Sequence, residues 1–177
     1  MPRYVDSTLL ALALSIFIAP PVHAGPEGPR LGKPLPAEEL KNLDIHVFPD
    51  GSGLPEGSGD AFEGEKLYEN LCATCHGPRG TGGSAGDLVG RSPLNGPHPD
   101  QSVGNFWPYA TTVFDFIRRS MPLNAPRSLT DAQVYALTAY ILALNGIIEK
   151  GMRLDKTSLP SIRMPNRDGF IPLWPNP

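Results

Sequence analysis

Apolar side chains recur at helical spacing in three segments of the chain, and long stretches without a period separate them. The first segment opens with Asp60 and Glu63, which have the spacing of a capping box, and continues with Leu67 and Leu71 at i and i+4. Gly64 lies inside this segment, where glycine costs about 1 kcal/mol relative to alanine, so we expect it to allow close approach of another helix. The pattern predicts a helix that runs directly into residue 72.

The second and third segments predict two further helices. The second is short, with a threonine cap and one apolar face (Thr111 or Thr112; Val113, Phe116 and Ile117). The third begins with a Thr130–Gln133 capping box and stops at Asn145-Gly146; its apolar stripe comprises Val134, Leu137, Ile141 and Leu144. Beside this stripe lies Tyr140, which we expect to pack over Gly64. The pattern therefore predicts an all-α fold.

The five residues after the first helix, Cys72-Ala73-Thr74-Cys75-His76, have the Cys-x-x-Cys-His spacing of a c-type haem attachment site. The two thiols can add to the haem vinyl groups, and His76 can coordinate the iron from one side. Two other interpretations use the same thiols. A zinc site usually needs four Cys or His ligands, and the sequence has no second Cys pair and no His-x3-His. A disulfide between the two cysteines would leave His76 without a role. We predict one covalently bound haem c.

The first 24 residues predict an export signal rather than part of the fold. Arg3 precedes an apolar run from Leu9 to Ala19, and Val22-His23-Ala24 is a small-x-small cleavage signal. The run is shorter than the roughly 20 residues of a transmembrane helix, so an uncleaved anchor is the minority interpretation and we expect no stable membrane insertion. Cleavage after Ala24 would release the chain into the periplasm, and bacteria complete covalent haem attachment outside the cytoplasm. The net charge is −3, and nothing in the sequence indicates the concentrated basic surface that nucleic-acid binding needs.

The 19 glycines and 21 prolines concentrate outside the predicted helices. We expect a signal peptide (1–24), an extended N-terminal arm (25–58), one domain (59–146) and a Pro-rich C-terminal tail (147–177). The glycine-rich stretch 77–108 would fold around the haem, with Leu88 at the haem edge; it lacks the Gly-Lys-Ser/Thr of a phosphate-binding loop. The tail carries several apolar residues, so it either wraps the domain or docks on another protein.

Met121, at the end of the second helix, is the predicted sixth ligand of the iron. A thioether sulfur is a soft, neutral donor that favours reduced iron, so His/Met ligation raises the reduction potential. The simpler interpretation is that Met121 is a core side chain. The other candidate ligands are Met152, Met164, His46 and His98. Met121 is preferred because it lies between the haem motif and the last helix, where a loop can fold over the open haem face.

This order of a helix, Cys72-x-x-Cys75-His76, a loop, Met121 and a last helix resembles that of the class I cytochromes c, over about residues 60–146. The resemblance implies a small helical domain with His76 and Met121 as axial ligands. It also implies aromatic hydrogen-bond donors near the haem propionates, for which Trp107 and Tyr109 are candidates.

The flanking sequences are similar to those of the cytochrome subunit of sulfur and sulfite dehydrogenases. The similar stretches are Phe48–Pro55, Trp107–Thr112, Ile117–Pro122, Leu144–Ile148 and Met164–Phe170. The resemblance implies a molybdenum-cofactor dehydrogenase subunit as electron donor in periplasmic sulfur oxidation, and a downstream cytochrome or oxidase as acceptor. The dihaem subunit of the thiosulfate-oxidising system has a second Cys-x-x-Cys-His, which this chain lacks.

We therefore expect an electron-transfer protein that is not an enzyme by itself, acting as the haem subunit or acceptor of a sulfite or sulfur dehydrogenase. Two alternatives stay open at this point. One is a free periplasmic electron shuttle to a terminal oxidase, and the other is a haem enzyme or sensor with an open sixth position.

Overall fold

The computed structural model describes residues 31–90, 92–171 and 173, so the predicted signal peptide and the start of the N-terminal arm lie outside the described residues. The described helices are α1 (Ala37–Leu43), α2 (Ala61–Leu71), α3 (Ala73–His76), α4 (Val103–Phe106), α5 (Ala110–Ser120), α6 (Asp131–Leu144) and a 3-10 turn (Leu159–Ser161). The described strands are β1 (Ser58–Gly59) and β2 (Leu154–Asp155), which pair antiparallel. The predicted all-α fold is confirmed. None of the described helices is long and apolar enough to cross a bilayer.

Residues up to 37 and residues from 38 onward belong to separate compact units. In the first unit, residues 31–37 are described, and all of them are exposed. The second unit contains the core and the residues of the predicted site.

Helices α2 and α6 cross at Gly64. Both begin at the predicted capping boxes (Asp60 with Glu63; Thr130 with Gln133). A Cβ added at Gly64 would lie 2.0 Å from the carbonyl oxygen of Ala136 and 2.8 Å from Cβ of Tyr140, so this crossing has room only for glycine. The predicted close approach of Gly64 and Tyr140 is confirmed.

Helix α6 is the centre of the core. All residues from Val134 to Leu142 are buried, whereas the sequence pattern predicted a single apolar stripe. The reason is that α2, α5, β1 and β2 all pack against α6, and a helix with so many neighbours is apolar on most of its faces. The hydroxyl of Thr138, which lies in this buried run, donates to the carbonyl of Val134 at 2.7 Å.

Helix α5 begins differently from the prediction. Its N-cap is Tyr109, and no side chain caps it, so the predicted cap by Thr111 or Thr112 is wrong. Thr111 lies inside the first turn and is 1% exposed. Its hydroxyl donates instead to the carbonyl of Pro49 at 3.4 Å. The hydroxyl that the local pattern assigned to the helix end therefore bonds to a backbone carbonyl that is distant in the sequence.

The end of the N-terminal arm is fixed on the core. Val47 and Leu54 are half-buried against it. The backbone N–H of Val47 donates to the carboxylate of Asp115 in α5 at 3.1 Å. The hydroxyl of Tyr135 donates to the carbonyl of Pro55 at 2.9 Å. These bonds join the arm to both α5 and α6.

The first part of the C-terminal tail packs on the same core. Leu154, Leu159 and Met164 are at most 1% exposed and belong to the core cluster. Arg153 pairs with both acidic residues of the α2 capping box, at 3.0 and 3.2 Å. Beyond this part the apolar side chains are exposed (Phe170, Ile171 and Leu173). Residues 147–164 therefore pack on the domain, as the wrapping interpretation of the tail expects. The last described residues present an apolar surface instead.

Candidate haem-binding site

An apolar cavity of about 970 Å³ lies among α2, α3, α5 and α6. Small-molecule pockets typically measure about 300–1,000 Å³, so this cavity is at the upper end and suits a group as large as a porphyrin. Its lining includes Cys72, Cys75, His76 and Met121. Most of the remaining wall is apolar, including Leu71, Val103, Val113, Ile117, Leu137 and Ile141. The cavity thus brings together two thiols that can attach a porphyrin and two side chains, an imidazole and a thioether, that can coordinate its iron.

Helix α3 brings the motif side chains to one wall of the cavity. The backbone N–H groups of Cys75 and His76 both donate to the carbonyl of Cys72, at 3.1 and 2.9 Å. Both thiols are free. Burial, with a smaller contribution from Cys75, raises the pKa of the Cys72 thiol to about 11, so this thiol is neutral at pH 7.

The glycine-rich loop folds back onto the motif and orients the His76 ring. The Nδ1 atom of His76 lies 3.0 Å from the carbonyl oxygen of Gly86. Because a carbonyl only accepts, Nδ1 carries the proton and Nε2 keeps a free lone pair for a metal. The N–H of Ala85 donates to the carbonyl of Cys75 at 2.8 Å. A Cβ at Gly83 would lie 2.0 Å from that same carbonyl oxygen, which explains a glycine at this position.

Met121 reaches the cavity from the end of α5. It is the C-cap of that helix, its backbone is extended, and its N–H donates to the carbonyl of Ile117 at 3.1 Å. The other candidate ligands are Met152, Met164, His46 and His98; none of them lines the cavity. Met164 is buried in the core, and the other three are exposed. Within the described part of the chain, Met121 is therefore the candidate ligand that lines the cavity.

Two of the three predicted haem contacts line the cavity, and one does not. Leu88 and Trp107 are in the lining. Tyr109 is absent from it, and the guanidinium of Arg167 stacks on its ring at 4.1 Å from the centroid. Phe116, predicted on the buried face of α5, is 41% exposed and lines the cavity. Its ring packs edge-on against that of Trp107, with the ring centroids 5.6 Å apart.

Sequence reasoning missed most of the segment between α5 and α6. Its residues form another part of the wall (Pro122, Leu123, Asn124, Ala125, Ser128 and Leu129). No periodicity marks this segment, and its only signal was its position directly after Met121. Leu137 and Ile141 were predicted as core positions, and the structure shows that they also line the cavity.

Comparison with known proteins finds similarity to a cytochrome family and to proteins named as dehydrogenases of sulfur compounds. The family model described as cytochrome C oxidase, cbb3-type, subunit III matches residues 59–141. A chain in the crystal structure of the sulfane dehydrogenase SoxCD from Paracoccus pantotrophus is 37% identical, with a TM-score of 0.76 over 81% of this chain and 71% of that chain.

Two curated relatives are named thiosulfate dehydrogenase. The protein from Stutzerimonas stutzeri is 36% identical over 87 residues, which are 49% of this chain and 28% of the relative. The protein from Allochromatium vinosum is 34% identical over 99 residues, or 52% of this chain and 36% of the relative. The matched part is therefore about a third of the length of these relatives.

Proposed function

This chain belongs to the c-type cytochrome family, and on that premise we propose that it binds one haem c and transfers single electrons. Cys72 and Cys75 hold the haem covalently in this proposal, and His76 and Met121 are its axial ligands. The haem supplies a one-electron redox centre. With His76 and Met121 both bound, the iron would have no open position for a substrate, so in this proposal the chain is an electron carrier rather than an enzyme by itself.

One observation carries this proposal: Cys72, Cys75, His76 and Met121 meet at one apolar cavity although the sequence separates the motif from Met121. The thioether of Met121 favours the reduced state of iron. The Gly86 carbonyl keeps the proton of His76 on Nδ1 and strengthens Nε2 as a donor. The apolar walls exclude water. Because water stabilises the more highly charged oxidised state of the iron, its exclusion also favours the reduced state.

We further propose that the chain is the haem subunit or electron acceptor of a molybdenum-containing sulfite or sulfur dehydrogenase in the periplasm, exported after cleavage behind Ala24. Its electrons pass on to a downstream cytochrome or oxidase. The extent of the structural similarity supports this role. The match to the sulfane dehydrogenase chain covers 81% of this chain, whereas the cytochrome family model covers only residues 59–141. The structural match therefore extends beyond the cytochrome domain into part of the flanks.

A free electron shuttle is the second candidate. Three apolar side chains of the cavity lining are substantially exposed (Leu71, Phe116 and Leu123). Transient electron-transfer encounters need only a small patch of surface, and such a rim could supply it without a permanent partner.

Mass spectrometry of the exported protein tests the haem assignment. The expected mass is that of the chain plus one haem, and Cys72→Ser with Cys75→Ser should remove the addition.

Carbon monoxide binding tests the electron-carrier assignment. The reduced protein should bind carbon monoxide only slowly, because Met121 holds the sixth position. Rapid binding would contradict the electron-carrier assignment and favour the open-site enzyme or sensor.

Purification of the tagged chain from its native periplasm tests the partner. A molybdenum-containing subunit should copurify in a fixed ratio, measured as bound molybdenum per haem. Removal of residues 170–177 deletes exposed apolar side chains but keeps Leu154, Leu159 and Met164 in the core. If the intact chain purifies without molybdenum, the subunit assignment is wrong and the shuttle is favoured. If only the shortened chain loses molybdenum, the end of the tail is part of the docking surface.

A further inference from the structure

Asn145, the residue after α6, joins separate parts of the chain through its side-chain amide. Its Oδ1 accepts from the backbone N–H of Gly90 at 3.0 Å, and its Nδ2 donates to the carbonyls of Leu88 at 3.1 Å and Ile141 at 2.9 Å. The opposite orientation of the amide would place its NH2 group against the N–H of Gly90. The side chain thus does more than the helix stop that the sequence predicted.

The structure encloses this amide. Gly104 of α4 approaches it so closely that an added Cβ would lie 1.9 Å from Oδ1 of Asn145. The Asn145 side chain is itself half-buried. An alanine at residue 104 would therefore displace the amide of Asn145 without altering its chemistry.

The segment that Asn145 holds continues into the candidate haem site. Leu88 lines the cavity, and its N–H donates to the carbonyl of Gly80 at 2.8 Å. Two residues earlier, the carbonyl of Gly86 accepts the Nδ1 proton of His76 at 3.0 Å. Asn145 is therefore the anchor at the far end of the short loop whose near end orients His76.

We propose that Asn145 is a positioning residue for His76: by fixing residues 88–90, it keeps the Gly86 carbonyl where it accepts the imidazole proton. This inference rests on the proposed haem attachment to Cys72, Cys75 and His76. A residue that only ended α6 would affect the stability of that helix and leave the His76 hydrogen bond unchanged. The two roles therefore predict different behaviour of one proton.

The test is hydrogen exchange, measured by NMR in the reduced, haem-loaded Asn145→Ala protein. The N–H of Gly90 and the Nδ1 proton of His76 should exchange with solvent about tenfold faster than in the wild type, the effect expected from one lost hydrogen bond. Backbone amides in the middle of α6, such as that of Tyr140, should keep their wild-type rates.

A second variant reaches the same contact from the other side. Gly104→Ala should accelerate the same two protons, and the double variant should exchange no faster than either single variant, because both remove one contact. Asn95→Ala is the matched control: its exposed side chain lies outside the cavity lining, and all these rates should stay at wild-type values.

The decisive outcome is the behaviour of His76. If Asn145→Ala and Gly104→Ala accelerate exchange at Gly90 but leave the His76 proton at its wild-type rate, the positioning role is wrong. If Asn145→Ala does not fold, Gly104→Ala carries the comparison alone. Failure of the proposed function is a separate result, because the wild-type mass would then lack the haem.

Discussion

Replacement of Gly64 by alanine tests the crossing of α2 and α6 that frames the site. The new Cβ would lie 2.0 Å from the carbonyl oxygen of Ala136, 2.6 Å from its carbonyl carbon and 2.8 Å from Cβ of Tyr140. These atoms belong to the backbone, or lie next to it, on the most deeply buried helix. No side-chain rotation can relieve the contact, so the two helices must move apart.

The expected cost follows from two opposing effects. Overpacking of a well-packed core costs about 1–3 kcal/mol, and a clash with backbone atoms belongs at the upper end of that range. Replacing glycine by alanine inside a helix stabilises the helix by about 1 kcal/mol. The free energy of unfolding should therefore fall by about 2 kcal/mol, a sizeable part of the about 5–15 kcal/mol of a typical domain.

Urea unfolding of the haem-loaded protein, followed by far-UV circular dichroism, measures this change. The matched control is Gly151→Ala, where no heavy atom lies within 4 Å of the added Cβ. That variant should remain within about 0.5 kcal/mol of the wild type. If Gly64→Ala is as stable as Gly151→Ala, the close crossing of α2 and α6 is wrong.

Two further predictions concern stability. Asp115→Ala should lower the free energy of urea unfolding by about 1.5–3 kcal/mol, because it removes the charged acceptor of the Val47 N–H and the ion-pair partner of Arg119. Asp168→Ala, which loses an exposed ion pair, should change it by about 0.5 kcal/mol or less, and equal effects would refute this ranking. Burial raises the pKa of both Tyr68 and Tyr135 to about 12. Since these values lie above the unfolded value of about 10, the stability contributed by the neutral phenols is complete below about pH 10 and is lost as pH rises towards 12. Titration by tyrosinate absorbance should show a late step that becomes smaller in the double variant Tyr68→Phe, Tyr135→Phe. Part of the step should remain, because burial also raises the pKa of Tyr140. A late step of unchanged size would contradict the assignment.

The sequence predicted the features that depend on residues within one or two helical turns. The Asp60–Glu63 capping box is such a feature, and so is the thiol and imidazole spacing of the haem motif. The close approach of another helix at Gly64 could also be predicted, because glycine inside a helix is destabilising and is expected only where space is short. The Thr111 prediction failed because the hydroxyl bonds to Pro49, 62 residues away, and no local pattern encodes that contact.

The walls of the site were the least predictable part. The residues after Met121 have no period, and their place in the wall depends on how the chain crosses from α5 to α6. Leu154, Leu159 and Met164 lie in a Pro-rich segment whose apolar residues fit either a core or a docking surface. Only the tertiary structure distinguishes these two, because burial depends on neighbours distant in sequence.

The most direct test of the account is the absorption spectrum of the oxidised protein. Ligation of the iron by the thioether of Met121 predicts a far-red sulfur-to-iron charge-transfer band in the wild type. Met152→Ala should keep the band, because Met152 is exposed and lies outside the cavity lining. Met121→Ala should lose it. A band that survives Met121→Ala would contradict the account.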